Sequence, residues 1–186
     1  MVTLALPEAG LFERLRRRDA QAMAQLYDQY GRAVYSLIYR IVQDTGVAED
    51  LTQETFLRVW NQAGAFDPER GSAAAWILTV ARNRAIDWKR SAAGKAARSL
   101  WDVYDDERRG QFADFEKQLI TADQAQRVRR AMDKLTDQQR AVIELAYFEG
   151  LTQSEMAERT GQPLGTIKTW VRAALGVLRQ ELGGAS

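Results

Sequence analysis

Three groups of side chains in this 186-residue chain have types and spacings that could do chemistry. The first is Asp50, Gln53 and Glu54, with Leu57 beside them. The second is Arg82, Asn83, Arg84, Asp87, Lys89 and Arg90. The third, near the C-terminus, is Thr166, Lys168, Thr169 and Arg172. None is a catalytic arrangement. Without a single cysteine or histidine, the chain has no thiolate nucleophile, no disulfide, no usual general base and none of the commonest zinc ligands. Glu49, Asp50 and Glu54 could hold a cation, but no histidine supports them. Guanidinium, ammonium, hydroxyl and amide donors at helical spacing instead suit phosphates and base edges. The expected chemistry is binding, with no cofactor, metal or small-molecule substrate.

Charge supports this by its distribution rather than its total. The chain carries 26 basic and 25 acidic residues, net +1. Between Arg82 and Arg98, however, Arg82, Arg84, Lys89, Arg90, Lys95 and Arg98 face a single acid, Asp87. Residues 103–116 run the other way, with Asp105, Asp106, Glu107, Asp114 and Glu116. A basic run is also what a solvated helix face looks like, so the pattern alone leaves both readings open.

The elements that must position these groups are helical throughout. Apolar residues recur at three- and four-residue steps, and no stretch alternates as a strand does. A short helix is expected at Leu11–Arg17. A long one follows from Asp19 as N-cap, with Met23, Leu26, Tyr27, Tyr30, Val34, Leu37, Ile38 and Ile41 inward. Asp44-Thr45-Gly46 reads as the turn that closes it. A helix over Val47–Ala63 buries Leu51, Phe56, Val59 and Trp60. Gly64–Ser72 reads as a loop, and Ala73–Arg90 as a further helix with Trp76 and Trp88 in the core. Residues 1–95 thus form a helical bundle. The segment 96–122, poor in apolar periodicity, reads as a linker.

Residues 123–186 form the second domain. Thr136 with Gln139, and Thr152 with Glu155, are two capping boxes. Gly150 closes the first of these helices, Gly161 makes the next turn, and Pro163 stands in the first turn of the last helix. That helix buries Leu164, Ile167, Val171, Ala174 and Leu178, and turns Thr166, Lys168, Thr169 and Arg172 outward. A short capped helix, a glycine turn and a helix with a polar-basic stripe make a helix-turn-helix. Trp170 fits either the core or the DNA-facing side. The fold class is all-α: two small helical domains joined by a linker.

Residues 48–60 (AEDLTQETFLRVW), 66–72 (FDPERGS) and 76–88 (WILTVARNRAIDW) resemble region 2 of bacterial RNA polymerase sigma factors. Residues 135–143 (LTDQQRAVI), 147–159 (YFEGLTQSEMAER) and 164–169 (LGTIKT) resemble region 4. Two regions joined by a linker are the plan of the extracytoplasmic function subfamily. The resemblance implies that Asp50, Gln53, Glu54 and Leu57 dock on core RNA polymerase. It implies that Phe66, Arg82, Asn83, Arg84, Asp87, Lys89 and Arg90 serve the single-stranded −10 element, Asn83 holding an extruded base. Thr166, Lys168, Thr169 and Arg172 would then read the duplex −35 element. It also implies an anti-sigma partner. The last helix carries fewer arginines than many relatives, so its −35 sequence cannot be borrowed from them.

The competing class is a stand-alone helix-turn-helix regulator that binds duplex DNA without polymerase. With neither a secretion signal nor an apolar run of ~20 residues in the sequence, a cytoplasmic protein without membrane insertion is expected.

Overall fold

The computed structural model describes residues 8–91 and 122–182, which belong to two compact units. Every element in the described residues is helical. None of these helices is long and apolar enough to cross a membrane. The expected linker, 96–122, lies outside the described residues except for residue 122.

The N-terminal unit comprises α1 (Glu8–Arg16), α2 (Ala20–Val42), α3 (Thr45–Asn61) and α4 (Ala73–Arg90). Asp19 caps α2 as expected, its carboxylate accepting the N–H groups of Gln21 at 2.8 Å and Ala22 at 3.4 Å. The expected turn at Asp44-Thr45-Gly46 needs correction. Gln43 makes the reversal in the left-handed region (φ 57°), donating its N–H to Tyr39. Asp44 is already the N-cap of α3 and accepts the Val47 N–H at 2.9 Å. An aspartate just ahead of a helix satisfies an otherwise orphaned amide, which draws α3 two residues towards the N-terminus.

The core forms around α2, which packs against both α3 and α4. Leu26, Tyr30, Val34, Leu37, Ile38 and Ile41 are buried on α2, with Leu51, Phe56 and Val59 on α3 and Ile77, Leu78 and Ala81 on α4. Each large aliphatic side chain so buried contributes about 1.5–3 kcal/mol. Thr52 and Thr55 enter this core because each hydroxyl donates to the carbonyl one turn back, at 2.7 Å. Tyr27, expected inward, is 48% exposed, its ring 4.8 Å from that of Phe56. The loop between α3 and α4 is more ordered than expected, carrying short 3-10 turns at Ala63–Ala65 and Pro68–Arg70.

The C-terminal unit comprises α5 (Ala122–Asp133), α6 (Asp137–Phe148), α7 (Gln153–Thr160) and α8 (Leu164–Leu182). Both capping boxes form. Thr136 N–H donates to Gln139 at 3.0 Å and Thr152 N–H to Glu155 at 2.6 Å, with the reciprocal bonds present. Helix α6 ends at Phe148, before Gly150. Gly161, with φ 67°, allows the tight turn between α7 and α8. Pro163 precedes α8 rather than lying in it, and its carbonyl accepts the first helical N–H groups from Thr166 and Ile167.

Two small clusters hold this unit. Val142, Met156 and Ile167 join α6, α7 and α8, while Met132, Leu135 and Ala174 join α5 to α8. Val171 and Leu178 are partly buried against them, but Leu164 is 38% exposed and is not a core residue. It stands in the first turn, beyond the reach of either cluster.

Candidate functional site

Helix α3 divides its residues between a buried face and an outer stripe. Leu51, Thr52, Thr55, Phe56 and Val59 are buried. Asp50, Gln53, Glu54 and Leu57 are all exposed, Leu57 by 62%. This is the stripe read from the sequence, and the helix turns all four side chains to the same side. Gln53 also borders a groove of about 560 Å³ between α2 and α3, lined by Tyr27, Asp28, Gly31, Arg32, Tyr35, Glu49 and Thr52. Sequence reasoning missed the groove's α2 wall, because Tyr27 falls on the apolar period and reads as core.

One pair joins two groups that the sequence keeps apart. Arg84 on α4 donates its Nε to the Glu54 carboxylate at 2.5 Å. Both side chains are partly exposed, so solvent screening limits what the pair adds to stability. Its effect on geometry is larger. The acidic stripe of α3 and the basic side of α4 are tied at this point, and neither charge is uncommitted. Nothing in the local pattern reveals this, since the partners lie 30 residues apart.

Along α4, Asn83, Asp87 and Arg90 are exposed and Arg82 is half-buried. The Arg82 guanidinium donates to Asn83 Oδ1 at 3.3 Å, which helps to hold the amide in one orientation. Lys89 departs from expectation. It is buried, with 7% exposure, so its long stem belongs to the packing of α4 and it is withdrawn from the DNA-facing set.

Phe66 needs the same correction. It is buried, its ring centroid 4.0 Å from Phe12 and 5.9 Å from Trp76. Trp76 packs edge-on against Phe12 at 5.6 Å, as a core residue would. Phe66 therefore anchors the loop and cannot itself stack on a base. Beyond Phe66 the loop is exposed from Asp67 to Gly71. Asp67 accepts the Glu69 N–H at 3.0 Å, and Gly71 takes φ 149°, which a side chain would strain.

The third group lies on the first turns of α8. Lys168, Thr169 and Arg172 are exposed and Thr166 is half-buried. Lys168 and Arg172 are four residues apart, about 6 Å along the axis. Among the described residues neither has an ion-pair partner. The Thr169 hydroxyl donates to the Gly165 carbonyl at 2.9 Å, so towards the outside it offers acceptor lone pairs only. Trp170 packs against the cluster of Val142, Met156 and Ile167, which settles its direction as inward. The stripe it leaves outside is polar and carries two positive charges about one helical turn apart.

Comparison with known proteins places these surfaces in a context. The model for sigma-70 region 2 matches residues 26–94, and that for sigma-70 region 4 matches residues 125–178. A protein of Mycolicibacterium vanbaalenii described as ECF RNA polymerase sigma factor SigK is 39% identical over 178 residues, 95% of this chain and 89% of its own. A Mycobacterium tuberculosis protein of the same description is 40% identical over 172 residues, 91% of this chain and 90% of its own. Among solved structures, Rhodobacter sphaeroides SigE, in complex with the anti-sigma ChrR, is 33% identical. That match covers 92% of this chain and 96% of the other, with a TM-score of 0.48.

Proposed function

Since the chain belongs to the extracytoplasmic function family of RNA polymerase sigma factors, which join core RNA polymerase and direct initiation at promoters, we propose how its two units divide that work. The family is one of initiation factors, not enzymes. The N-terminal unit docks on the polymerase through Asp50, Gln53 and Leu57 on the outer stripe of α3. Glu54, tied to Arg84, holds that stripe against α4. An exposed leucine among acids suits a partner surface that offers both basic and apolar groups.

The same unit holds the melted −10 strand. Asn83 pairs with an extruded base through its amide, the Asp67–Gly71 loop closes over that base, and Arg82 and Arg90 lie along the phosphates, Arg84 being held by Glu54. Extrusion costs a few kcal/mol, which the amide contact and the loop must offset. The C-terminal unit sets α8 in the major groove at the −35 element, with Lys168, Thr169 and Arg172 towards the DNA and Thr166 at the margin. The protein works in the bacterial cytoplasm, beside polymerase and chromosome. An anti-sigma factor covers the α3 stripe until it is released. With no cysteine and no histidine, the chain has neither the thiols for redox sensing nor the usual zinc ligands, and sensing of the inducing signal falls to that partner.

The observation that carries this reading is the outward Leu57, 62% exposed within an acidic stripe. The experiment is run-off transcription on genomic fragments with core polymerase, alongside duplex binding by the protein alone. The expected result is promoter-specific transcripts that require both components, with weak duplex binding without polymerase. Tight sequence-specific binding by the free protein, without added transcripts, would mark it as a stand-alone regulator.

A further inference from the structure

Helix α1 has no part in docking or DNA contact as described so far, yet it is bonded to the loop that would close over the extruded base. Arg16, its last residue, donates Nη2 to the Phe66 carbonyl at 3.0 Å and Nε to the Ala63 carbonyl at 3.4 Å. Its third nitrogen, Nη1, is held by the Glu13 carboxylate at 3.3 Å. One turn earlier, Phe12 packs its ring 4.0 Å from that of Phe66. Arg18, in the left-handed region at φ 61°, donates to the Trp60 carbonyl and to Asn61 Oδ1, both at 3.4 Å. Its guanidinium lies 5.4 Å from the centre of the Trp60 ring.

Residues 12–18 thus grip residues 60–66, the stretch that leads from α3 into the loop. The first 3-10 turn there is closed by its own backbone bond, from the Ala65 N–H to the Gln62 carbonyl at 2.8 Å, and Arg16 adds bonds to two carbonyls of the stretch, those of Ala63 and Phe66. On the far side, Ser72 caps α4, and Trp76 packs against both Phe12 and Phe66. The exposed tip, Asp67–Gly71, hangs between these two fixed points. We propose that α1 is a brace for this loop, and that Arg16 is a positioning residue for −10 base selection although it touches no DNA. The proposal rests on the reading that the loop and Asn83 hold the extruded base. A guanidinium suits the task because its planar fork serves two carbonyls and a carboxylate together, whereas an ammonium is a single point of charge.

The test uses full-length protein with core polymerase on pre-melted templates that carry each of the four bases at the extruded position. Preference among the bases, core affinity and melting temperature are measured for Arg16→Ala, Arg16→Lys, Arg17→Ala and Asn83→Ala. Arg17 is exposed and bonds to Glu13 rather than to the loop. The expected result is a preference reduced about three- to tenfold in Arg16→Ala, with core affinity unchanged. Arg16→Lys should recover only part of the preference, and Arg17→Ala should keep all of it. If Arg16→Ala melts the unit, Arg16→Lys carries the same comparison. A lower melting temperature with full preference would make Arg16 merely structural and overturn the brace. Full preference in Arg16→Ala with loss in Asn83→Ala would overturn the brace and leave the base-reading site standing. Full preference in both would overturn the site and the brace with it.

Discussion

The two units prepare their surfaces in different ways. In the N-terminal unit, several of the groups assigned to the −10 strand, and Glu54 of the docking stripe, are tied to neighbours before any partner arrives. Glu54 is paired with Arg84, Asn83 accepts from Arg82, and the loop after α3 is held by Arg16 through its backbone. In the C-terminal unit, Lys168 and Arg172 stand exposed on α8, without ion-pair partners among the described residues. The difference follows the ligands. An extruded base must find its contacts already in place, because reorganising them would add to the cost of extrusion. A phosphate or a groove edge is met from solvent, and a cation tied to an internal carboxylate would have to break that pair first. The N-terminal surface is rigid by cross-links, and the C-terminal surface is rigid only as far as its helix is.

That contrast breaks most readily at the C-terminal core. Ile167 is fully buried in a cluster with only two other buried side chains, Val142 and Met156. Ile167→Ala should cost about 2–5 kcal/mol and loosen α8 from α6 and α7. Amide exchange should rise across α6–α8 and stay at the wild-type level in α2–α4. Equal rises in both units would show that the two do not keep separate cores.

A smaller effect is expected at the outward cations. In holoenzymes tested on −35 variants at two salt concentrations, Lys168→Ala and Arg172→Ala should differ in kind. The one that reads a base relaxes preference at one position by ~1–3 kcal/mol. The one that meets a phosphate weakens all sequences alike and lowers the salt slope by about one unit. If neither change moves either quantity, the stripe is a solvated face.

The smallest effect concerns the N-cap of α2. The Arg14 guanidinium, bonded at 2.7 Å, holds the Asp19 carboxyl below its ordinary value of 3.8, with the Gln21 and Ala22 amides assisting against desolvation. A depressed carboxyl contributes its stability above the unfolded value and loses it as pH falls through the folded one. Asp19→Asn should therefore lower the stability of the N-terminal unit near neutrality, where the charged carboxylate contributes, and flatten its acid melting below about pH 4, where wild type and variant converge. An unchanged acid limb would remove Asp19 from the acid response.

Much of the scaffold is legible in the residues themselves. Asp19, Thr136 and Thr152 each announce a helix start through a local bond, so their caps form as read. The outward stripes of α3 and α8 follow from helical spacing alone. What escapes is set by distant partners. Phe66 reads as a loop aromatic until Phe12, 54 residues earlier in number, covers it. Lys89 reads as one more cation until packing buries its stem. Helix α5 keeps a helical period but is so polar that little more than Val128, Ala131 and Met132 marks its inner face. Glu54 and Arg84 carry no sign that each is the other's partner.

The division of labour between the units is tested most directly by the affinity of the protein for core polymerase, measured for Leu57→Asp beside Lys168→Ala. Leu57 is exposed on α3 and Lys168 on α8, so both variants should fold and melt as the wild type does. Leu57→Asp is expected to weaken core binding by about tenfold or more, while Lys168→Ala keeps it. A Leu57→Asp protein that melts normally and binds core polymerase at wild-type affinity would contradict the assignment of α3 as the docking surface.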